Sequence, residues 1–188
     1  MKIYETERLI LKVLGENYSK EVVEYISYNK EFFSGEEPIR EKKFYTEEYQ
    51  SNELKKDLGF IENGSMLRLW VYEKFNLNRI VGQVTFYNIV PFAFFSCHLG
   101  YKSHKDNINK GIITEAVRKG IDIMFNEYGM HRIEAYTLIG NEASQRVLQK
   151  LGFIDEGIAH EFLEIGGVWR NHKRFALINN TKAIDKLD

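Results

Sequence analysis

One cysteine, Cys97, stands in 188 residues, so no intrachain disulfide can form and a cysteine-rich zinc cluster lacks its thiols. A reducing, cytoplasmic setting is the expectation. Prolines number two, Pro38 and Pro91, and no linker-like stretch or internal repeat divides the chain, which predicts one domain over residues 1–188. No apolar run approaches the roughly 20 residues of a membrane-spanning helix, and residues 89–95 are interrupted by Pro91. The opening Met1-Lys2-Ile3-Tyr4-Glu5-Thr6-Glu7-Arg8 turns polar before a signal core can form. An excess of charge is missing as well. Against 27 Asp and Glu stand 26 Lys and Arg, a formal charge of -1 that gives no global attraction to nucleic acid or to an anionic membrane. His98, His104, His131, His160 and His172 make no His-Glu-x-x-His signature, and no metal is expected.

What is plentiful is aromatic: 13 Phe, 11 Tyr and 2 Trp supply large side chains for a core or a pocket. Tyr28, Phe32, Phe33, Tyr87 and Trp169 suit either use. Leu9, Leu11 and Val13 alternate as a first strand, Ser19 precedes a helix carrying Val22, Val23 and Ile26, and Thr46 starts a charged helical segment. Alternation over residues 66–72 and 80–87 predicts an antiparallel pair, and residues 92–101 a further strand. A polar stretch then leads into a helix, beginning near Glu115, with Ala116, Val117, Ile121 and Met124 on one face. Residues 132–138 read as a strand. Residues 141–151 read as a short helix with Ala143, Val147, Leu148 and Leu151 inward, and a hairpin turning at Gly166-Gly167 follows, then a tail. The class is mixed α/β (α+β), with antiparallel strands followed by strand-helix-strand-helix-strand.

Asn109-Lys110-Gly111-Ile112-Ile113-Thr114 sits where a polar loop enters a helix. The first amides of a helix lack internal acceptors, and the helix dipole favours an anion there, so this turn can face phosphate oxygens. Gly111 allows close approach, and Lys102, Lys105 and Lys110 can add positive charge. A solvated loop before a capped helix explains the same residues. Neither a Walker loop nor a Gly-x-Gly-x-x-Gly run is present, which disfavours ATP and NAD.

Leu99-Gly100-Tyr101, the turn through Thr114-Glu115-Ala116, the Asn141-x-x-Ser144 step and Lys150-Leu151-Gly152-Phe153 follow one another in an order that resembles the GNAT superfamily of acyl-CoA-dependent N-acetyltransferases. The opening Glu5-Thr6-Glu7-Arg8-Leu9-Ile10-Leu11 and Trp169-Arg170-Asn171-His172 resemble its ribosomal-protein N-acetyltransferase branch, so that the likeness spans approximately residues 5–178. The resemblance implies a mixed, mostly antiparallel sheet with two splayed central strands, here residues 94–101 and 132–138, and flanking helices. It implies acetyl-CoA as cosubstrate. Backbone near Leu99, Gly100 and Tyr101 would run along the pantetheine, amides from Lys110 through Thr114 would face the pyrophosphate, and Asn141 and Ser144 would lie near the arm and the sulfur. Ile108 and Ile113 depart from the family's polar and small residues at those places, and Asn109 from a glycine.

Transfer to an amine requires the ammonium to lose a proton and an oxyanion to be stabilised, the latter by an amide near Leu99 or Gly100 in this resemblance. His98 is the first candidate base, directly or through water, because imidazole titrates near neutral pH. Glu161 and Glu134 are alternatives. Ser144 is the candidate proton donor or sulfur-positioning group, since Leu148 stands where many relatives have tyrosine; a serine satisfying early-helix amides is the competing reading. The acceptor implied is a primary amine, such as a protein's terminal amine, with a polyamine, amino sugar or antibiotic also open. Monomer and homodimer both remain open. A catalytically weak acyl-CoA-binding or sensing module is the alternative function.

Overall fold

The computed structural model describes residues 2–180; the tail read from the last residues falls largely outside them. Alternation at the start becomes β2 (Leu9–Lys12), whose two leucines are completely buried. A strand the pattern did not reveal, β1 (Ile3–Glu5), pairs with it antiparallel, three residues being too short for a readable period. β3 (Leu67–Glu73) buries both faces. Leu67, Leu69 and Val71 enter one apolar cluster, whereas Trp70 and Tyr72 enter a second with Val22 and Tyr25 of α1 (Ser19–Tyr28) and Leu54 of α3 (Glu47–Glu62). Between those helices lies the short α2 (Lys30–Phe33).

β4 (Gly82–Val90) pairs antiparallel with β3 and with β5 (Ser96–Ser103). Helix α4 (Ile112–Asn126) then crosses over, so that β6 (Arg132–Leu138) runs parallel to β5. After α5 (Glu142–Lys150) the chain closes with the hairpin β7 (Ile154–Ile165) and β8 (Val168–Ile178), in which β8 lies against β6. The sheet order among the described residues is β1-β2-β3-β4-β5-β6-β8-β7. It is a mixed, mostly antiparallel sheet with helices flanking it.

The parallel pairing is brief. It runs from Ser96↔Arg132 to Leu99↔Ala135, while β5 continues to Ser103 and β6 to Leu138 with no shared register, so the two strands part in their second halves. Below the opening, α4 buries Ile112, Ala116, Val117, Ile123 and Met124, each larger aliphatic side chain contributing roughly 1.5–3 kcal/mol of burial. Gly120 lets this helix lie close to β4: a Cβ there would come within 2.6 Å of the Phe86 ring.

Several boundaries differ from expectation. The strand expected from Phe92 starts at Ser96, because Pro91 is followed by Phe92 and Phe95 in left-handed backbone (φ 63° and 40°), which turns the chain. Helix α4 starts at Ile112 rather than near Glu115, and α1 is entered through a single-turn 3-10 segment with Tyr18, not Ser19, at its cap. In α5 the expected inward Ala143 is exposed. Gln145 is buried instead, because its Nε2 donates to the carbonyls of Leu138 (3.2 Å) and Ile139 (2.7 Å). Among the described residues no helix is long and apolar enough to cross a membrane.

Candidate active site

A cleft of about 1170 Å³, open-solvent space included, lies between the start of α4, the free half of β5 and the start of α5. Tyr101, Asn109, Gly111, Ile112, Ile113, Thr114, Asn141 and Ser144 all line it. The turn into α4 is built from two left-handed residues, Asn109 (φ 59°) and Gly111 (φ 75°), and asparagine is the residue other than glycine that tolerates this conformation best. Glu115 N–H makes the first internal bond of the helix, to Gly111 O at 3.0 Å, so the amides of Ile112, Ile113 and Thr114 precede the ladder and are available to an anion. Ile113 is partly buried: it packs on the core, with its Cδ1 toward Gly82, while still bordering the cleft. Ile108 is half-exposed on the cleft wall. The lysines expected to supply charge are otherwise engaged. Lys102 pairs with Glu37, the Lys105 ammonium sits 3.9 Å from the Tyr28 ring centre, and Lys110 Nζ donates to Asp106 O at 2.7 Å. Arg146 and Lys150 of α5 are the cations on the cleft wall that sequence reasoning missed; their exposed helical positions gave no pattern to read.

The turn is held from behind by the segment before β2. Glu115 accepts from the Thr6 hydroxyl (2.6 Å), the Arg8 amide (3.0 Å) and Arg8 Nε (2.6 Å), while Arg8 Nη1 donates to Lys110 O (3.1 Å). Burial pushes the Glu115 carboxyl up, but these bonds outweigh it and hold it below the usual carboxylate range. Lys110 therefore contributes its carbonyl to the frame of the turn. Its side chain does not line the cleft.

Where β5 and β6 part, a second opening of about 580 Å³ is walled by Leu99, Gly100 and Tyr101 on one side and residues 135–138 on the other. Ser144 closes one end. Its Oγ lies 2.8 Å from Tyr101 Oη, and the same phenol donates to Ser144 O at 3.0 Å. Capping of α5 falls to Asn141, whose Oδ1 accepts from Ser144 N–H at 2.9 Å. Burial raises the Tyr101 pKa, which keeps the phenol protonated and able to donate. Leu148 is fully buried in the core.

His98 lies on the other face of β5, by strand alternation. Its half-buried ring stands edge-on to Tyr87 (5.4 Å) and Tyr136 (5.5 Å), and Asn88 Nδ2 is 3.3 Å from Nδ1. Burial lowers its pKa, which favours the neutral ring. Tyr136 stacks on Phe162 at 4.1 Å. Glu134 is a poor proton acceptor here: burial works against its ionisation, yet bonds from Arg132, Tyr136 and Arg174 prevail and hold it at about 2. Cys97 is buried, its thiol pushed up to about 12 by burial and by Glu134. Glu161 is exposed on a wide funnel, with Trp169 and Arg170, its backbone left-handed (φ 45°) and its amide bonded to Asn171 Oδ1 at 2.8 Å. Phe32 and Phe33 line the cleft at the start of α4, whereas Tyr28 stacks on His104. Among the described residues no group of three or more His, Cys, Asp or Glu is placed to hold a metal ion.

Residues 8–154 match the model of the acetyltransferase (GNAT) domain family. The chain is 35% identical to the probable N-acetyltransferase YjcK of Bacillus subtilis over 153 residues, 81% of this chain and 84% of that protein. The ribosomal-protein-S5-alanine acetyltransferase of Vibrio fischeri superposes with a TM-score of 0.91 at 30% identity, covering 96% of this chain and 98% of that one. RimJ of Mycobacterium smegmatis, solved in complex with CoA-disulfide, superposes with a TM-score of 0.85 at 25% identity, covering 90% and 81%. The parted strands, the amide-bearing turn and these likenesses agree: the chain belongs to the GNAT family of acetyltransferases, closely related to the ribosomal-protein-alanine/serine acetyltransferases.

Proposed function

We propose that the chain transfers an acetyl group from acetyl-CoA to a primary amine, with the N-terminal amine of a ribosomal or other protein as acceptor. The observation that carries this reading is the parting of β5 and β6 after Leu99↔Ala135, directly beside the free amides of α4. A strand edge with unpaired backbone groups suits an amide-rich arm, and a helix start suits a diphosphate. The CoA complex of the Mycobacterium smegmatis relative supports the ligand, and the Vibrio fischeri relative's action on a ribosomal protein's alanine supports the acceptor.

In this reading Leu99, Gly100 and Tyr101 present backbone groups along the arm, Gly100 or Leu99 supplies the amide for the carbonyl oxygen, and Asn141 borders the arm. Amides from Lys110, Gly111, Ile112, Ile113 and Thr114, with Asn109 shaping the turn, receive the diphosphate. Acetyl-CoA, when bound, supplies the activated acyl carbon. Two groups of the chain then move protons from opposite faces of β5. Neutral His98 accepts the amine's proton through water, with exposed Glu161 as the alternative acceptor. Ser144, backed by the Tyr101 phenol, protonates or positions the sulfur. The test is mass spectrometry of a panel of ribosomal-protein N-terminal peptides and small amines incubated with acetyl-CoA. Acetylation of a peptide's terminal amine is expected; coenzyme binding without acetylation of any amine would replace this function with a binding or sensing module.

A further inference from the structure

Glu36, in the segment after α2, is on the walls of three openings at once: the cleft at the start of α4, the wedge between β5 and β6, and the funnel that carries Glu161 and Trp169. Asn141 shares that placement, and the two are joined, Asn141 Nδ2 donating to Glu36 Oε1 at 2.7 Å. Through the other end of the same amide Asn141 caps α5 at Ser144. Glu36 thus stands where the cleft, the wedge and the funnel meet.

Its charge is only partly compensated, Lys102 acting on it without pairing. The adjacent Glu37 takes the ammonium of Lys102, and among the described residues no Lys, Arg or His makes an ion pair with Glu36. Burial, and next the Glu37 carboxylate, hold Glu36 above the usual carboxylate range, a condition that an arriving cation relieves. The other carboxylates near this face differ. Glu134 is saturated by Arg132, Tyr136 and Arg174, and Glu161, exposed like Glu36, borders the funnel but neither the cleft nor the wedge.

Resting on the transferase reading above, we infer that Glu36 is the carboxylate that receives the acceptor's ammonium group, holding a compact cationic amine such as a peptide α-ammonium between funnel and wedge. The charge-assisted bond fixes the nitrogen beside the acyl position before its proton leaves. An acceptor lacking a positive charge gains nothing from Glu36.

Steady-state kinetics with acetyl-CoA and unmodified peptides beginning with alanine or serine test this in the full chain. Glu36→Gln retains an oxygen for Asn141 and removes only the charge; it is expected to raise the peptide KM about tenfold or more, with the acetyl-CoA KM unchanged. Glu36→Asp should recover part of the loss. An unchanged peptide KM in Glu36→Gln overturns the inference while the transferase reading stands. A loss confined to kcat also overturns it, since Glu36 would then be moving a proton, and an equal rise in the acetyl-CoA KM would reduce Glu36 to a support for Asn141. If the wild-type chain acetylates none of these peptides but does acetylate a small amine, the protein N-terminus is not the acceptor and the inference falls while the transferase reading stands; if it acetylates no amine, both fall.

Discussion

Arg8 Nε lies 2.6 Å from Glu115 Oε2, which ties the turn before β2 to the first turn of α4, where the amide cradle is formed. Because Arg8 also donates to the Lys110 carbonyl, the contact frames the turn from two sides. It acts on the cleft without lining it.

Arg8→Gln should therefore loosen the cradle and leave the acyl position intact. The Arg8 side chain is 47% exposed, so the ion pair alone is worth about 0.2–1 kcal/mol, and the freed carbonyl adds to that. The acetyl-CoA KM is expected to rise roughly threefold to tenfold with kcat within about twofold. A fall in thermal stability with no change in that KM would make the contact a fold support only.

Tyr101 and Ser144 share one hydrogen-bonded unit, so their substitutions should not add. Ser144→Ala is expected to lower kcat by about tenfold or more at little cost to coenzyme affinity, and Tyr101→Phe to lower it less. In the double variant the loss should resemble that of Ser144→Ala alone. Additive losses would separate the two hydroxyls.

Glu134 makes stability depend on acid. Its carboxyl is depressed from 4.5 to about 2, so the stabilisation is complete above the unfolded value and is lost as pH falls from about 4.5 toward 2. Glu134→Gln should cost roughly 2–3 kcal/mol at pH 7, measured by denaturant unfolding, and the gap to wild type should close toward pH 2. A gap that is constant with pH would contradict the assignment.

How much of this was legible in the sequence depends on how local each signal is. The amphipathic face of α4 and the Gly166-Gly167 hairpin rest on neighbours within a few residues and appear where periodicity and turn rules place them, whereas the amide-satisfying role read for Ser144 falls to Asn141. The β5 start differs from expectation because the continuous apolar run of residues 92–95 has the composition of a strand, whereas left-handed Phe92 and Phe95 make it a turn. The contacts of Arg8 with Glu115 and of Glu36 with Asn141 join residues about a hundred positions apart, and no local pattern predicts them. The cleft residues were found through family order; the groups that hold them were not.

Gly120→Ala tests the packing beneath the cradle. Alanine normally favours a helix by up to about 1 kcal/mol, but here its Cβ would meet the Phe86 ring at 2.6 Å. A net destabilisation of roughly 1–3 kcal/mol is expected in thermal or denaturant unfolding. A more stable variant would show that α4 and β4 can separate freely.

The most direct test of the cradle is an amide-resolved NMR titration of the full chain with coenzyme A. The amides of Gly111, Ile112, Ile113 and Thr114 should move together and saturate with one coenzyme per chain, along with those of β5 after Leu99. If these amides stay fixed while the coenzyme binds elsewhere, or if no resonance moves, the placement of the acyl donor in the parted strands is contradicted.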